Sequence, residues 1–497
     1  MKIVQINDTC GIGSTGKICE AISRLLNEHN IESYILYSAN GDGYEFSTPV
    51  ADKPYIKIQA LKSRIFGNYG FNSATATKKI IAKLEELKPD IVHLHNLHGH
   101  ICNIGTLFDY LKSKNIKIVW TFHDCWAFTG YCMHFVAENC KKWETGCENC
   151  PVFGNYSWFS DRSKTLYGRK KRIFEDGGIT VVTPSGWLAS LAEKSFAGGD
   201  VRVINNGIDL SVFRPTESDF REKHGMDKTD FMILCVADNW SVKKGSDDVS
   251  KLAEKLPDGF KVVAVGTNSE SLSPSVIRLP RTQNQNELVK IYSAADLFVN
   301  PTYEDTFPTV NIEALACGTP VLTYLTGGSG EMIDPDCGAS VETGDSDSLL
   351  HEIGRISAEK PFTAENCIKR TSLEAIFRFQ AGILLKMFHV QELSILSKWG
   401  ENAVTHQVAF SIQQQAAFIL IEIAAIRNGE EAPSLTVRQG DVLEEPQAVY
   451  GVVLDFLIMG KNVDLCQVKP REKADIVRVN PFAGLFRLGV NRLCHVH

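Results

Sequence analysis

The sequence predicts an α/β protein of two doubly wound domains facing each other across a cleft, followed by a tail that it leaves unassigned. Three observations carry this reading. Short apolar runs rich in β-branched residues alternate with helical periodicity, which implies mainly parallel sheets covered on both faces. The alternation comes in two series. Between them, Asn205-Asn206-Gly207-Ile208-Asp209 is a cluster of turn formers that reads as a hinge. Ligands of such sheets bind at the carboxyl ends of the strands, so the segments that follow strands hold the candidate chemistry.

In chain order, Lys2–Ile6 reads as the first strand and Gly11-Ile12-Gly13-Ser14-Thr15-Gly16 as the turn after it. A helix follows with Ile18, Ala21, Ile22, Leu25 and Leu26 on one face. Tyr34–Tyr37 is the next strand, and Thr75–Leu87 a helix stopped by Pro89. Ile91–Leu94, Ile116–Phe122, Ile179–Thr183 and Val201–Ile204 complete the first series. The second holds strands at Phe231–Val236, Val262–Val265, Val276–Leu279, Leu297–Asn300 and Val321–Tyr324, with helices at Glu287–Ala295 and Val310–Ala316. The expected domains are therefore 1–204, with a cysteine-rich insertion at 125–151, and 205–370. Residues 371–497 stay unassigned. Ser411–Ile426 is open to a helical reading there and Tyr450–Met459 to a strand, and a small appended domain and a non-native extension both remain open.

Composition bounds the function. The 497 residues suffice for two to four domains at roughly 100–200 residues each. With 44% hydrophobic and 22% charged residues, a disordered or disulfide-stapled chain is excluded. A formal net charge of −7 argues against broad nucleic-acid binding. The start turns polar after a few residues, and Ala416–Ile426 is too short to span a bilayer and carries Glu422. The expected location is cytoplasmic.

The most specific segment runs from Asn300 through Glu304, Asp305, Phe307 and Glu313 to Gly318-Thr319-Pro320-Val321. It leaves a strand and opens a helix, whose free amides and positive dipole end suit an anion or a sugar hydroxyl. Helix-start acids also suit that dipole without any ligand. With Gly327-Gly328-Ser329-Gly330-Glu331 behind it, the segment resembles the signature of family 4 retaining glycosyltransferases, whose GT-B fold pairs two Rossmann-like domains. The resemblance covers roughly residues 1–370. In that family two acids stand eight positions apart. Asp305 and Glu313 keep that spacing, with Glu304 as neighbour. The resemblance implies that Asp305, with Glu304, Thr306 and Phe307 around it, contacts the donor sugar, and that Glu313 holds the nucleotide ribose.

It carries further residues over. Lys243 and Lys244 stand where the family's basic pair meets the departing diphosphate, but Asp238 replaces an arginine that many members carry. Gly13 and Ser14 fall in the glycine loop that approaches the donor phosphate. That loop lacks the spacing of a P-loop, since Ile18 follows Gly16-Lys17. His123 ends a strand, where the family places a histidine against the donor sugar. The implied catalytic residues are His123, Asp305 and Lys244. No metal or other cofactor is expected in catalysis, and Asp334-Pro335-Asp336 reads as a chance match to a metal motif.

Three further features read from the residues themselves. His93, His95, His98 and His100 follow or end a strand and read as lining of an acceptor cleft. Cys132, Cys140, Cys147 and Cys150 are spaced C-x7-C-x6-C-x2-C; structural zinc, reduced thiols and disulfides are all open to them. Together with Trp126, Gly130, Trp143 and Gly146, the segment resembles the members acting in colanic-acid-like polysaccharide assembly. Arg169-Lys170-Lys171-Arg172 is a basic run, read as a solvated face or a draw to anionic lipid. The expected activity is transfer of a hexose from a nucleotide diphosphate sugar to a surface-polysaccharide or polyprenyl-linked acceptor, with peripheral contact at the inner face of the membrane. A nucleotide-sugar epimerase of the same fold and a non-catalytic glycan-binding scaffold are the rivals.

Overall fold

The computed structural model describes residues 1–136, 138–282 and 284–374; the readings at Ser411–Ile426 and Tyr450–Met459 lie outside the described residues. The first series folds as β1 (Lys2–Cys10), α1 (Gly13–Glu28), β2 (Glu32–Gly41), β3 (Ser47–Pro49), α2 (Lys53–Phe66), α3 (Ala74–Leu87), β4 (Ile91–Leu94), α4 (Ile104–Ser113), β5 (Lys117–Thr121), α5 (Ser163–Glu175), β6 (Ile179–Thr183), α6 (Gly186–Lys194) and β7 (Asp200–Val203). Its seven strands run in the order β3-β2-β1-β4-β5-β6-β7, all parallel.

The second series is α7 (Phe220–Lys223), β8 (Phe231–Asn239), α8 (Ser246–Lys255), β9 (Phe260–Thr267), β10 (Ile277–Leu279), α9 (Gln285–Ala294), β11 (Leu297–Asn300), α10 (Thr309–Ala316), β12 (Val321–Tyr324), β13 (Gly338–Val341), α11 (Ser346–Glu359) and α12 (Ala364–Glu374). Its six parallel strands take the order β10-β9-β8-β11-β12-β13. Strand order reverses between β1 and β4 in one sheet and between β8 and β11 in the other. A crevice opens at the carboxyl end of each such point.

The strands are buried on both faces, as their continuous apolar runs require. In β8, Met232 and Leu234 pack with Phe298 toward α9 and α10. The alternate residues Ile233 and Cys235 join the core under α8 and α11. Two edge strands escaped the sequence reading. β3 is three residues ending in proline, and β13 begins with glycine, so neither shows an apolar run.

The two domains touch through specific polar contacts. Glu331 accepts hydrogen bonds from the amides of Gly186 and Trp187 at 2.8 and 2.7 Å. Ser185 caps the same helix, α6, through Leu188 N at 3.2 Å, so second-domain and first-domain groups together satisfy its free amides. Thr306 Oγ1 donates to the carbonyl of His123 at 2.8 Å.

The basic run on α5 is not a solvated face. Lys170 and Leu166 are fully buried, and Ile173 on the same helix side is buried with them. Its ammonium donates to the carbonyls of Trp126, Thr129 and Gly130 at 2.6, 3.0 and 3.4 Å and lies 3.7 Å from the Trp126 ring centroid. Arg169 stacks over Phe71 at 3.8 Å. Only Lys171 and Arg172 face solvent. Burial pulls Lys170 down to about 7, with Cys147 and Asp124 opposing. Lys170→Ala strips three carbonyls of their donor and opens a cavity, and should destabilise the first domain by about 3 kcal/mol; a urea titration with the wild-type midpoint would refute this role.

Candidate active site

Two loops meet at the crevice of the second sheet. After β8, a single turn carries Lys243 and Lys244 to Gly245, which sits at φ +76°. A Cβ at Gly245 would come within 2.3 Å of the Pro301 carbonyl, so only glycine lets this turn lie against the loop after β11. Tyr303 N then donates to the Lys243 carbonyl at 2.9 Å. In that register each lysine meets one acid of the loop after β11. Lys243 Nζ lies 2.6 Å from Glu304 and Lys244 Nζ 2.8 Å from Asp305. Glu304 is buried; the Lys243 side chain is more exposed than that of Lys244, at 57% against 38%. Partial burial pulls the Lys243 ammonium down, but the hydrogen bond and charge of Glu304, with Glu138 beyond, more than offset it and raise its pKa.

Other predicted residues of this loop divide. Thr306 reaches across to the first domain through His123. The Phe307 side chain is buried in the second-domain core, so it is the amide that stays at the loop, donating to Asp305 Oδ1 at 3.3 Å. Gly327 and Gly328 back the loop. A Cβ on either would strike the carbonyl of Asp305 at 1.7 Å or of Thr306 at 2.2 Å. Asp238, which stands where an arginine was implied, pairs with Arg281 from the segment after β10 at 2.9 Å. Asp334 is held by Arg370 at 2.7 Å.

Glu313 stands one turn into α10, and its Oε2 accepts from the Tyr292 hydroxyl of α9 at 3.1 Å. Burial raises its pKa, while Tyr292 and the charge of Lys17 act against the rise. Lys17 lies on α1, so the helix after the glycine loop confronts α10 across the cleft. Gly11 and Gly13 take φ of +68° and +69°. A Cβ on Gly11 would meet Asp42 Oδ2 at 2.0 Å. α1 then opens at Gly13 and Ser14 with no side-chain cap and no acid in its first turn. Its amides are free for an anion.

His123 closes the crevice from the first domain. Its Nε2 lies 3.0 Å from His95 Nδ1. His93 and His95 share a sheet face as their alternation predicts, with ring centroids 4.0 Å apart. Both are buried beneath the crevice and do not line it. His98 pairs with Asp124 at 2.8 Å, and the two opposite charges raise the one pKa and lower the other against burial.

The cysteine-rich loop folds over the first domain. Cys132, Cys140, Cys147 and Cys150 line one pocket, all as free thiols. Gly130 N donates to Cys147 Sγ at 3.2 Å. Among the described residues, the one trio of His, Cys, Asp or Glu with ligand atoms all within 4.8 Å of one another lies elsewhere, at Cys10, Glu20 and Asp42. The same loop carries Glu138 to 3.8 Å from Lys243. Glu138, Tyr292 and Arg281 escaped the sequence reading, because nothing in their local spacing distinguishes them.

Comparison with known proteins agrees with this fold. Residues 16–212 match the family model described as Glycosyltransferase Family 4, and residues 216–373 match Glycosyl transferases group 1. A putative colanic acid biosynthesis glycosyl transferase, WcaC of Escherichia coli K12, is 25% identical over 361 residues, covering 69% of this chain and 87% of the relative. The D-inositol 3-phosphate glycosyltransferase of Mycolicibacterium smegmatis is 34% identical over 145 residues, a third of its own length. Among solved structures, sucrose-phosphate synthase from Thermosynechococcus elongatus superposes with a TM-score of 0.57 at 16% identity, covering 78% of this chain and 98% of that one. Anabaena HepE in complex with UDP-glucose gives 0.55 at 16% identity, covering 78% and 100%. With two successive family domains on two facing doubly wound sheets, the chain belongs to the family 4 glycosyltransferases of the GT-B fold.

Proposed function

We propose that this glycosyltransferase moves a hexose, with retention, from a nucleotide diphosphate sugar to a surface-polysaccharide or lipid-linked acceptor. The observation that carries this is the pair of lysine–carboxylate contacts at the second switch point, opposite the uncapped start of α1. Lys244 and Lys243 stabilise the diphosphate as it leaves. Amides at Gly13 and Ser14 complete the cradle, with Arg281 as a further cation beside Asp238. Glu313, aimed by Tyr292, holds the ribose hydroxyls; Asp305, Glu304 and the Thr306 and Phe307 amides hold the sugar. No side chain stands as a dedicated nucleophile in this reading. The diphosphate departs and the acceptor attacks from the same face.

Negative charge grows on the diphosphate as it leaves, so a cation fixed there stabilises the transition state more than the bound donor. Lys244→Ala should cut the single-turnover rate by about 10²-fold or more with a smaller effect on donor affinity. A wild-type rate at saturating donor would end the assignment. Donor turnover by the wild-type enzyme that needs no acceptor would favour the epimerase.

The four cysteines are proposed to hold a structural zinc. Four soft donors line one pocket, with an amide aimed at Cys147 and the buried Lys170 ammonium nearby; no three of the sulfurs lie within 4.8 Å of one another, so the metal would draw the thiols together on binding. The metal would tie down the outer turns of a loop whose Phe128, Phe135 and Trp143 already pack on the first-domain core. Protein prepared with zinc present should carry about one equivalent and lose thermal stability on chelation; metal-free protein of equal stability would refute it.

Peripheral membrane contact is proposed at α2 rather than α5. α2 buries Gln59 and Ser63 yet exposes Ile58, Leu61 and Phe66, the reverse of a core-facing helix. Trp158 and Phe159 stand exposed at its end, the latter by 74%, where Trp158 N donates to the Arg64 carbonyl. Lys53, Lys57, Lys62 and Arg64 accompany them with no acid in the helix. Such a face fits an anionic bilayer; no described helix is long and apolar enough to cross one. Replacing Trp158 and Phe159 with Ser should reduce cosedimentation with phosphatidylglycerol vesicles about tenfold. Undiminished binding, or equal binding to neutral vesicles, would overturn it.

A further inference from the structure

The buried groups beneath His123 form a directed chain of hydrogen bonds that ends at the crevice. Gln5, on β1, is fully buried, and its Nε2 donates to the carbonyl of Cys19 at 3.0 Å. A carbonyl can only accept, so the amide oxygen of Gln5 must face the other way, toward His95 Nε2 at 3.1 Å. An amide oxygen also only accepts. His95 Nε2 therefore carries the proton. His95 is 2% exposed, and burial among His93 and His123 drives its pKa well below the ordinary value, so the ring is neutral and its Nδ1 bears a lone pair. That nitrogen faces His123 Nε2 at 3.0 Å, which must then be the donor. Burial likewise lowers His123 to about 4. Its ring is neutral too, and the remaining nitrogen, Nδ1, is an acceptor. No described side chain or backbone group donates to that Nδ1.

We infer that Gln5 and His95 are positioning residues that hold His123 as the Nε2–H tautomer, so that its Nδ1 receives a hydroxyl hydrogen from the substrate. Rotating the assignment at any one member would set two donors or two acceptors against each other in a buried site, and the Cys19 carbonyl fixes the direction of the whole chain. The opposite tautomer would present N–H to the crevice and repel a donating hydroxyl hydrogen. That the hydroxyl belongs to a sugar rests on the transferase reading; the tautomer does not.

The test is a long-range ¹H–¹⁵N correlation on the full chain labelled with ¹⁵N-histidine, with His123→Gln used to assign the signals. Protonation of His123 and of His95 at Nε2 is the expected result. Protonation of His123 at Nδ1 overturns the inference, whatever the enzyme's activity. Gln5→Leu removes the acceptor that orients His95; His123 should then show both tautomers, and kcat/KM should fall about tenfold or more. Gln5→Glu, protonated when buried, can still donate to Cys19 and accept from His95, and should restore both readouts. A folded Gln5→Leu enzyme with the wild-type tautomer would show that the chain positions nothing. Should Gln5→Leu fail to fold, the wild-type spectrum and Gln5→Glu still decide. If transfer activity is absent altogether, the spectrum alone decides the tautomer.

Discussion

Two lysine–carboxylate pairs tie the loop after β8 to the loop after β11, and the cleft is organised around them. They join the two strands that flank the second switch point, where strand order leaves a crevice. Neither pair would form without the close approach that Gly245 permits against Pro301. With Glu304 buried, the cations are anchored from below. Under the proposed function, a cation already held in place costs no reorganisation when charge develops beside it.

The first domain answers with a different kind of constraint. Its contribution beneath the cleft is a layer of neutral, buried histidines ordered by one glutamine. A neutral hydrogen-bond chain can be buried without the desolvation cost of charge, and its cost of rearrangement is the loss of every bond along it. The side facing the loop after β11 is therefore stiff where the second domain is charged. The Glu331 contact to α6 and the Thr306 contact to His123 set the distance between these two halves.

Much of this was legible in the chain itself. Central strands and the helices of the acid segment were readable because burial on both faces demands apolar runs, and because a proline and a glycine bracket α10. The acids and the lysine pair were readable because they follow strands. β3 and β13 were not, since an edge strand needs neither length nor apolar residues. The basic run on α5 misled for a related reason. Linear charge density does not tell that a helix turns Lys170 inward while Lys171 and Arg172 face water.

The chain alone reveals the parallel, doubly wound class and the acids, lysines and histidine placed where strands end. These depend on local periodicity and on spacing within one loop. Tertiary structure alone decided which lysine meets which acid, that Tyr292 aims Glu313 and that Glu138 reaches Lys243. It also decided that Gln5 and His95 stand under His123. Each of these joins groups brought together by strand pairing or by closure of one domain on the other, and no spacing along the chain records such a meeting.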